Sequence, residues 1–319
     1  MERGESWFGS QVSLDQAGIP VITTGSRRQA MGSARHPEPP EVRLERMDAL
    51  GVDMQIVSVL PPLYRYELEP AVAIDAAQAV NDELADMQRR WPSRFAGLAT
   101  LPMQDVNAAI RELERATGAL GLRGISLSTH VNGRDWDAAE LFPLLEAAAA
   151  LNVFVLVHPA AIRGPDTFTR YFLTNLIGNP FETTLALGAL IFGGVFDRLP
   201  NLKTCFVHGG GFISAAIGRF DRGRLVRKEC MSIEQKPSDY VRQCYFDTLT
   251  HGRGGLRALV ATVGPDHVVM GSDYPADMGD DDPAATVRSA DWLTEAERQA
   301  IAGGTITRLL GLTAASAAD

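Results

Sequence analysis

The chain has no surplus of positive charge. Its 30 Lys and Arg stand against 39 Asp and Glu, a formal net charge of −9. Phosphate contacts need clustered basic side chains, so this balance excludes nucleic acid as a partner and leaves room only for a basic pocket holding a small anion. Cysteine is scarce. Cys205, Cys230 and Cys244 form no CxxC pair and leave one unpaired, which fits reduced thiols in a cytoplasmic protein rather than a disulfide scaffold. The stretch Met1-Glu2-Arg3-Gly4-Glu5 carries no apolar segment of the secretory kind. The longest apolar runs, Leu185–Phe196 and Val153–Val157, fall short of the roughly 20 residues needed to cross a bilayer, so no membrane partner is expected. Internal repeats and low-complexity linkers are also missing.

What is present is a globular composition. The 319 residues are 45% hydrophobic and 22% charged, too apolar and too weakly charged for a chain that stays unfolded. The length alone would allow two domains, but α/β barrels of this size form one. The expectation is one barrel domain over residues 1–319, with an irregular segment over 1–40 and βα units over 41–319. Within the first segment, Gln11–Leu14 and Pro20–Thr23 flank Asp15-Gln16-Ala17-Gly18, a hairpin signal. Pro37, Pro39 and Pro40 then break the chain ahead of a helix over Glu41–Leu50.

Beyond that helix a rhythm sets in. Short apolar runs occur at Met54–Val59, Phe95–Leu101, Gly124–Ser128, Val153–Val157, Thr204–Val207, Cys244–Leu249 and His267–Gly271. Most lack polar alternation, as strands buried on both faces do. Helical stretches separate them, among them Glu67–Arg90, Asn107–Leu120, Asp137–Leu151, Glu182–Asp197 and Gly254–Val263, and two more close the chain at Thr294–Ala302 and Thr305–Leu310. Alternating β and α elements predict a parallel sheet covered by helices. A (β/α)8 barrel needs eight strands. Only seven runs qualify, and residues 1–40 offer no strand for the missing first place.

Active sites of such barrels form where the strands end. Val153–Val157 runs into His158, Thr204–Val207 into His208-Gly209-Gly210-Gly211, and His267–Gly271 into Ser272-Asp273. Cys244–Leu249 contains Asp247 and precedes His251, and Gly124–Ser128 precedes His130. Each alone reads as a structural residue. As a set they would converge, and two imidazoles with a carboxylate suit Zn²⁺ or another borderline divalent ion. His267, at the start of its strand, and His36, in the proline-rich loop, are expected to be structural. The three glycines after His208 leave three readings open: amide donors beside an imidazole, a phosphate loop without its usual motif, or a turn that needs glycine for packing.

The residues also carry a resemblance. Pro40-Glu41-Val42-Arg43 leads through Met47-Asp48 to Gly51-Val52. Next come Arg94-Phe95-Ala96-Gly97-Leu98-Ala99-Thr100-Leu101-Pro102-Met103-Gln104 and Phe154 to His158-Pro159. Ile191-Phe192-Gly193-Gly194-Val195-Phe196, Asp197-Arg198-Leu199-Pro200, Cys205-Phe206-Val207-His208-Gly209-Gly210-Gly211 and Gly271-Ser272-Asp273-Tyr274-Pro275 complete the series. Together they resemble the amidohydrolase-related metal-dependent decarboxylases, with the aminocarboxymuconate-semialdehyde decarboxylase branch nearest, from about residue 40 to the C-terminus.

That resemblance implies a (β/α)8 barrel, one divalent metal ion (usually zinc, with manganese as the alternative) and non-oxidative loss of CO₂ from a small aromatic or muconate-like carboxylic acid. His158 and Asp273 match metal ligands, and His208 matches the catalytic acid/base. Arg219 matches an arginine donated across a homodimer interface to a substrate carboxylate. Arg28, or its neighbour Arg27, matches a second carboxylate-binding arginine. Asn175 stands where the family has a tryptophan of the substrate pocket, which puts the semialdehyde substrate in question. The largest departure is the absence of any His-x-His, which the family carries on its first strand and which supplies two further metal ligands. The expectation is a start upstream of Met1, with a natural fragment or a degenerate, inactive relative as alternatives. Hydrolysis of a lactone or amide by the same metal-bound water is the rival chemistry.

Overall fold

The computed structural model describes residues 6–16, 18–24, 27–30 and 38–312. His36 lies outside them. The chain opens with a small antiparallel sheet of four strands in sequential order: β1 (Ser6–Trp7), β2 (Ser10–Leu14), β3 (Pro20–Thr24) and β4 (Arg27–Ala30). The hairpin signal is therefore real and is the centre of a larger sheet. Asp15 closes its turn: the Asp15 carboxylate accepts from the Ile19 amide at 2.9 Å and its carbonyl from the Gly18 amide at 3.0 Å. A short acceptor side chain able to bond its own backbone is what makes Asp a turn former.

Seven parallel strands follow: β5 (Gln55–Val57), β6 (Phe95–Ala99), β7 (Gly124–Ser128), β8 (Phe154–His158), β9 (Lys203–Phe206), β10 (Tyr245–Asp247) and β11 (Val268–Val269). Each coincides with one of the seven apolar runs. They lie side by side in chain order, with register pairs such as Ser128 with His158 and Asp247 with Val269. Every residue of β6 and β7 is buried, the reason those runs show no polar alternation. With helices between successive strands, this is the curled sheet of a (β/α)8-type barrel. Among the described residues β5 and β11 are its two edges, so no eighth strand joins them.

The expected helices are present, some shortened at their ends. The Glu182–Asp197 stretch divides into Asn179–Phe192 and Val195–Arg198, because Gly194 adopts a left-handed conformation (φ 67°) between them. The helix expected over Asp137–Leu151 begins only at Phe142. One apolar core lies between the sheet and the helices and includes Ile125, Leu127, Leu144, Leu190 and Phe246. A smaller one lies on the inner face of the sheet, where Leu98, Phe154, Cys205 and Val269 meet Leu309, at the end of the last helix, Thr305–Leu309, and Leu310 just after it. That helix sits where the strands begin, since Thr305 and Arg308 both donate to the Asp266 carbonyl ahead of β11. The opposite end is thus left for chemistry. Among the described residues no helix is long and apolar enough to cross a membrane.

The N-terminal sheet is fastened beside that open end by Arg65. This side chain is buried, donates to the Phe8 carbonyl at 3.2 Å and to the Ser10 hydroxyl, and pairs with Glu67. Gln104 in turn donates to the Arg65 carbonyl at 2.7 Å.

Candidate metal centre and active site

Three strand ends bring their polar side chains to one point. His158 is the last residue of β8, His208 begins the turn after β9, and Asp273 follows β11. One ligand atom from each lies within 4.8 Å of the others. His158 Nε2 is 3.3 Å from Asp273 Oδ1, His208 Nε2 is 3.6 Å from Asp273 Oδ2, and the imidazoles meet edge to face with centroids 5.0 Å apart. His208 and Asp273 both hold left-handed backbone conformations (φ 56° and 53°), which non-glycine residues seldom adopt and which concentrate at functional sites.

The donor chemistry fits a cation. His158 Nδ1 lies 2.8 Å from the Pro159 carbonyl, which can only accept, so Nδ1 carries the hydrogen. In the neutral ring Nε2 then presents a lone pair to a carboxylate oxygen 3.3 Å away. Two acceptors face each other at that distance only with a proton or a metal ion between them. Burial would raise the Asp273 carboxyl, but the hydrogen bonds and charges of His158 and His208 outweigh it and hold the group well below the usual carboxylate range. Burial opposes the charged form of His208, yet the Asp273 carboxylate, with a smaller contribution from Asp247, raises its imidazole above the ordinary value. A set of two imidazoles and one carboxylate with open positions is the pattern of a divalent-metal site that keeps room for water or substrate.

A cavity of about 1850 Å³ opens on this centre. Arg28 and Asn175 line it together with His158 and Asp273. Arg219 does not: it is exposed on the helix Ile213–Val226, away from its own chain's cavity. The other strand-end histidines, His130 and His251, stay outside the cluster, and His267, expected to be structural, has structural partners. His130 is buried, its Nδ1 accepts from the Gly133 amide at 3.0 Å and its Nε2 lies 3.1 Å from the Ala161 carbonyl. His267 faces the Cys244 carbonyl at 3.0 Å and stacks on Tyr245. His251 is exposed and is not part of the cluster.

The glycines after His208 serve the turn. Gly211 (φ 67°, ψ −120°) has a conformation open to glycine alone, and a Cβ there would come 2.2 Å from the Pro180 carbonyl oxygen. Their amides are already used: Gly209 donates to Asp247, Gly210 to the Val207 carbonyl and Gly211 to the His208 carbonyl. Of the three readings the sequence left open, the packing turn holds, and neither a phosphate loop nor free ligand-binding amides remain.

One placement and one network escaped sequence reasoning. Asp247, one of the strand-end set, is buried under the His208 turn, a partnership that its place on the strand does not reveal. Glu182, fully enclosed, takes three hydrogen bonds from the Arg163 side chain and one from its amide, while Arg163 also reaches Asp135 at 2.7 Å. This network braces the loop that follows His158, and no local pattern in the sequence announces it.

Comparison with known proteins agrees with this geometry. The amidohydrolase family model matches residues 21–312. A 2-amino-3-carboxymuconate-6-semialdehyde decarboxylase of Dictyostelium discoideum is 38% identical over 275 residues, covering 86% of this chain and 77% of that one. Among solved structures, 5-carboxyvanillate decarboxylase from Sphingomonas paucimobilis superposes with a TM-score of 0.81 at 28% identity, covering 86% of this chain and 84% of that one. A dihydroxybenzoic acid decarboxylase from Polaromonas, solved with bound manganese, gives 0.80 at 26% identity, with 88% of each chain covered.

Proposed function

The chain belongs to the amidohydrolase family, and from that membership we propose that it is a metal-dependent carboxy-lyase removing CO₂, without oxidation, from a small aromatic or muconate-like carboxylic acid. The observation that carries this reading is the meeting of His158, His208 and Asp273 at three strand ends, with a lone pair of His158 turned on a carboxylate. His158 and Asp273 are the ligands of one divalent ion. Zinc is the expected ion and manganese the alternative, the latter being bound in the Polaromonas relative. Such an ion polarises a substrate oxygen and lowers the pKa of bound water.

The remaining work falls to side chains. Cleavage of the bond to CO₂ leaves an electron pair on carbon, which must receive a proton. His208 holds that proton at Nε2, beside Asp273, and delivers it to the carbon. Arg28, on the small sheet at the cavity wall, binds a substrate carboxylate, since a guanidinium matches that group in bidentate fashion. Asn175 shapes the substrate pocket in place of a large aromatic.

Arg219 is the anion-binding residue of a second copy. Its exposure outside its own cavity supports a homodimer, as do the exposed Leu225 and Val226 on the same helix. Reduced thiols at Cys205, Cys230 and Cys244 support a cytoplasmic location.

The test is release of CO₂ by the metal-loaded protein from a panel of dihydroxybenzoates, carboxyvanillates and carboxymuconate semialdehydes, with lactones and amides alongside. CO₂ from at least one acid is expected. Turnover of a lactone or amide with no CO₂ from any acid would replace decarboxylation by hydrolysis.

A further inference from the structure

Asp247 has no place in the chemistry just described, yet it is built into the turn that presents His208. It ends β10, is 8% exposed, and is wedged between the turn after β9 and the end of β11. One carboxylate oxygen, Oδ1, accepts from the Gly209 amide at 2.8 Å and from the Leu249 amide at 3.1 Å, and the His208 amide faces the same group. His208, Gly209, Gly210 and Gly211 are four consecutive residues with positive φ (56°, 58°, 75° and 67°). The first two amides of this turn, those of His208 and Gly209, face the Asp247 carboxylate, while the Gly210 and Gly211 amides close the turn on the Val207 and His208 carbonyls.

The other flank of Asp247 is closed as tightly. A Cβ on Gly271 would lie 2.8 Å from Asp247 Cβ, and the Gly271 amide donates to the neighbouring Thr248 hydroxyl at 3.2 Å. Asp273 stands two residues beyond Gly271. The end of β10 therefore touches both arms that carry His208 and Asp273.

We infer that Asp247 is a positioning residue: its carboxylate is the internal anion that holds the left-handed turn at His208–Gly211 and so aims the His208 imidazole at the reacting carbon. The consequence for catalysis rests on the role given above to His208. A His208 turn without this anion keeps its sequence, its glycines and its internal bonds but loses the acceptor of its first two amides. Charge-assisted hydrogen bonds to buried carboxylates are about twice as strong as neutral ones, so the isosteric Asp247→Asn weakens the turn without emptying the site.

Amide hydrogen exchange tests the structural half without any substrate. In Asp247→Asn, exchange at Gly209 is expected to rise about tenfold or more while the amides of β8 keep their rates. A double-mutant cycle tests the catalytic half. Asp247→Asn is expected to lower kcat for CO₂ release by roughly 10–100-fold at a nearly constant KM in the parent protein, and to cause no further loss in a His208→Ala background. Unchanged exchange at Gly209, or an equal loss of kcat in both backgrounds, would overturn the inference. If no acid yields CO₂, the proposed activity fails, and the exchange measurement still decides whether Asp247 holds the turn.

Discussion

His158 and Asp273 are 115 positions apart in the chain, and His158 Nε2 lies 3.3 Å from Asp273 Oδ1. Because His158 Nδ1 is committed to the Pro159 carbonyl, this contact joins two acceptors whenever the imidazole is neutral. It is a place prepared for positive charge. Several measurable consequences come from it and from the elements around it.

Removing either partner should empty the metal site. His158→Ala and Asp273→Asn are each expected to weaken binding of a divalent ion by roughly a hundredfold or more, since even groups outside the ligand set cost 10–100-fold. Elemental analysis of metal per chain after equilibrium dialysis reads this directly. Parent-like occupancy in both variants would show that the ion is held elsewhere.

His208 should separate chemistry from metal binding. As the proton donor it is expected to lose roughly 10²–10⁴-fold in kcat on replacement by Ala, with KM and metal content near those of the parent. Steady-state CO₂ release together with metal analysis gives both quantities. Full activity in His208→Ala would remove it from the mechanism.

Glu182 should matter for stability rather than turnover. It is completely buried and its charge is met by Arg163, so Glu182→Gln removes the buried carboxylate of the pair and leaves the partly buried guanidinium with Asp135 alone. Breaking a buried pair in this way costs about 3 kcal/mol. The expected outcome is a lower urea midpoint with an unchanged slope. A midpoint equal to the parent's would mean that solvent already screens the pair.

The three thiols should differ in reactivity. Burial pushes the Cys244 thiol up to about 12, and burial, followed by the charge of Asp247, lifts that of Cys205 well above its ordinary value. A raised thiol pKa means no thiolate at pH 8.5, and the thiolate is the nucleophile. Iodoacetamide at that pH is therefore expected to label the half-buried Cys230 in the native protein, with Cys205 and Cys244 reacting only after unfolding. Peptide mass mapping would detect the opposite pattern.

Arg65 should govern the small sheet. Arg65→Ala removes the donors to Phe8 and Ser10, and amide exchange across Ser10–Leu14 is expected to rise about tenfold while β6 and β7 stay protected. Equal protection in parent and variant would mean that other contacts fasten the sheet.

Much of the barrel was legible in the sequence. Each of the seven strands lies on an apolar run, because a strand buried on both faces excludes polar alternation, and that signal is local. His158 and Asp273 were legible for the same reason, since His158 follows such a run directly and Asp273 with one residue between. The small sheet was only half legible. Its hairpin carries a turn signal in Asp15 and Gly18, whereas its docking depends on Arg65, more than 50 residues further along the chain.

Convergence belongs to the tertiary structure. His130, His158, His208 and His251 have similar local settings, and only the placement of the strands separates the two imidazoles that meet Asp273 from a buried loop brace and an exposed side chain. Arg219 and Arg28 are equally basic in the sequence, and the fold puts one on the cavity wall and the other on an outer helix. The sequence by itself determined the order of the elements and the residue types at the strand ends, because both follow from short-range periodicity. Only the tertiary structure decided which of those side chains share a charge environment. That depends on contacts between segments far apart in the chain, such as the Asp247 carboxylate against the Gly209 amide, 38 positions away.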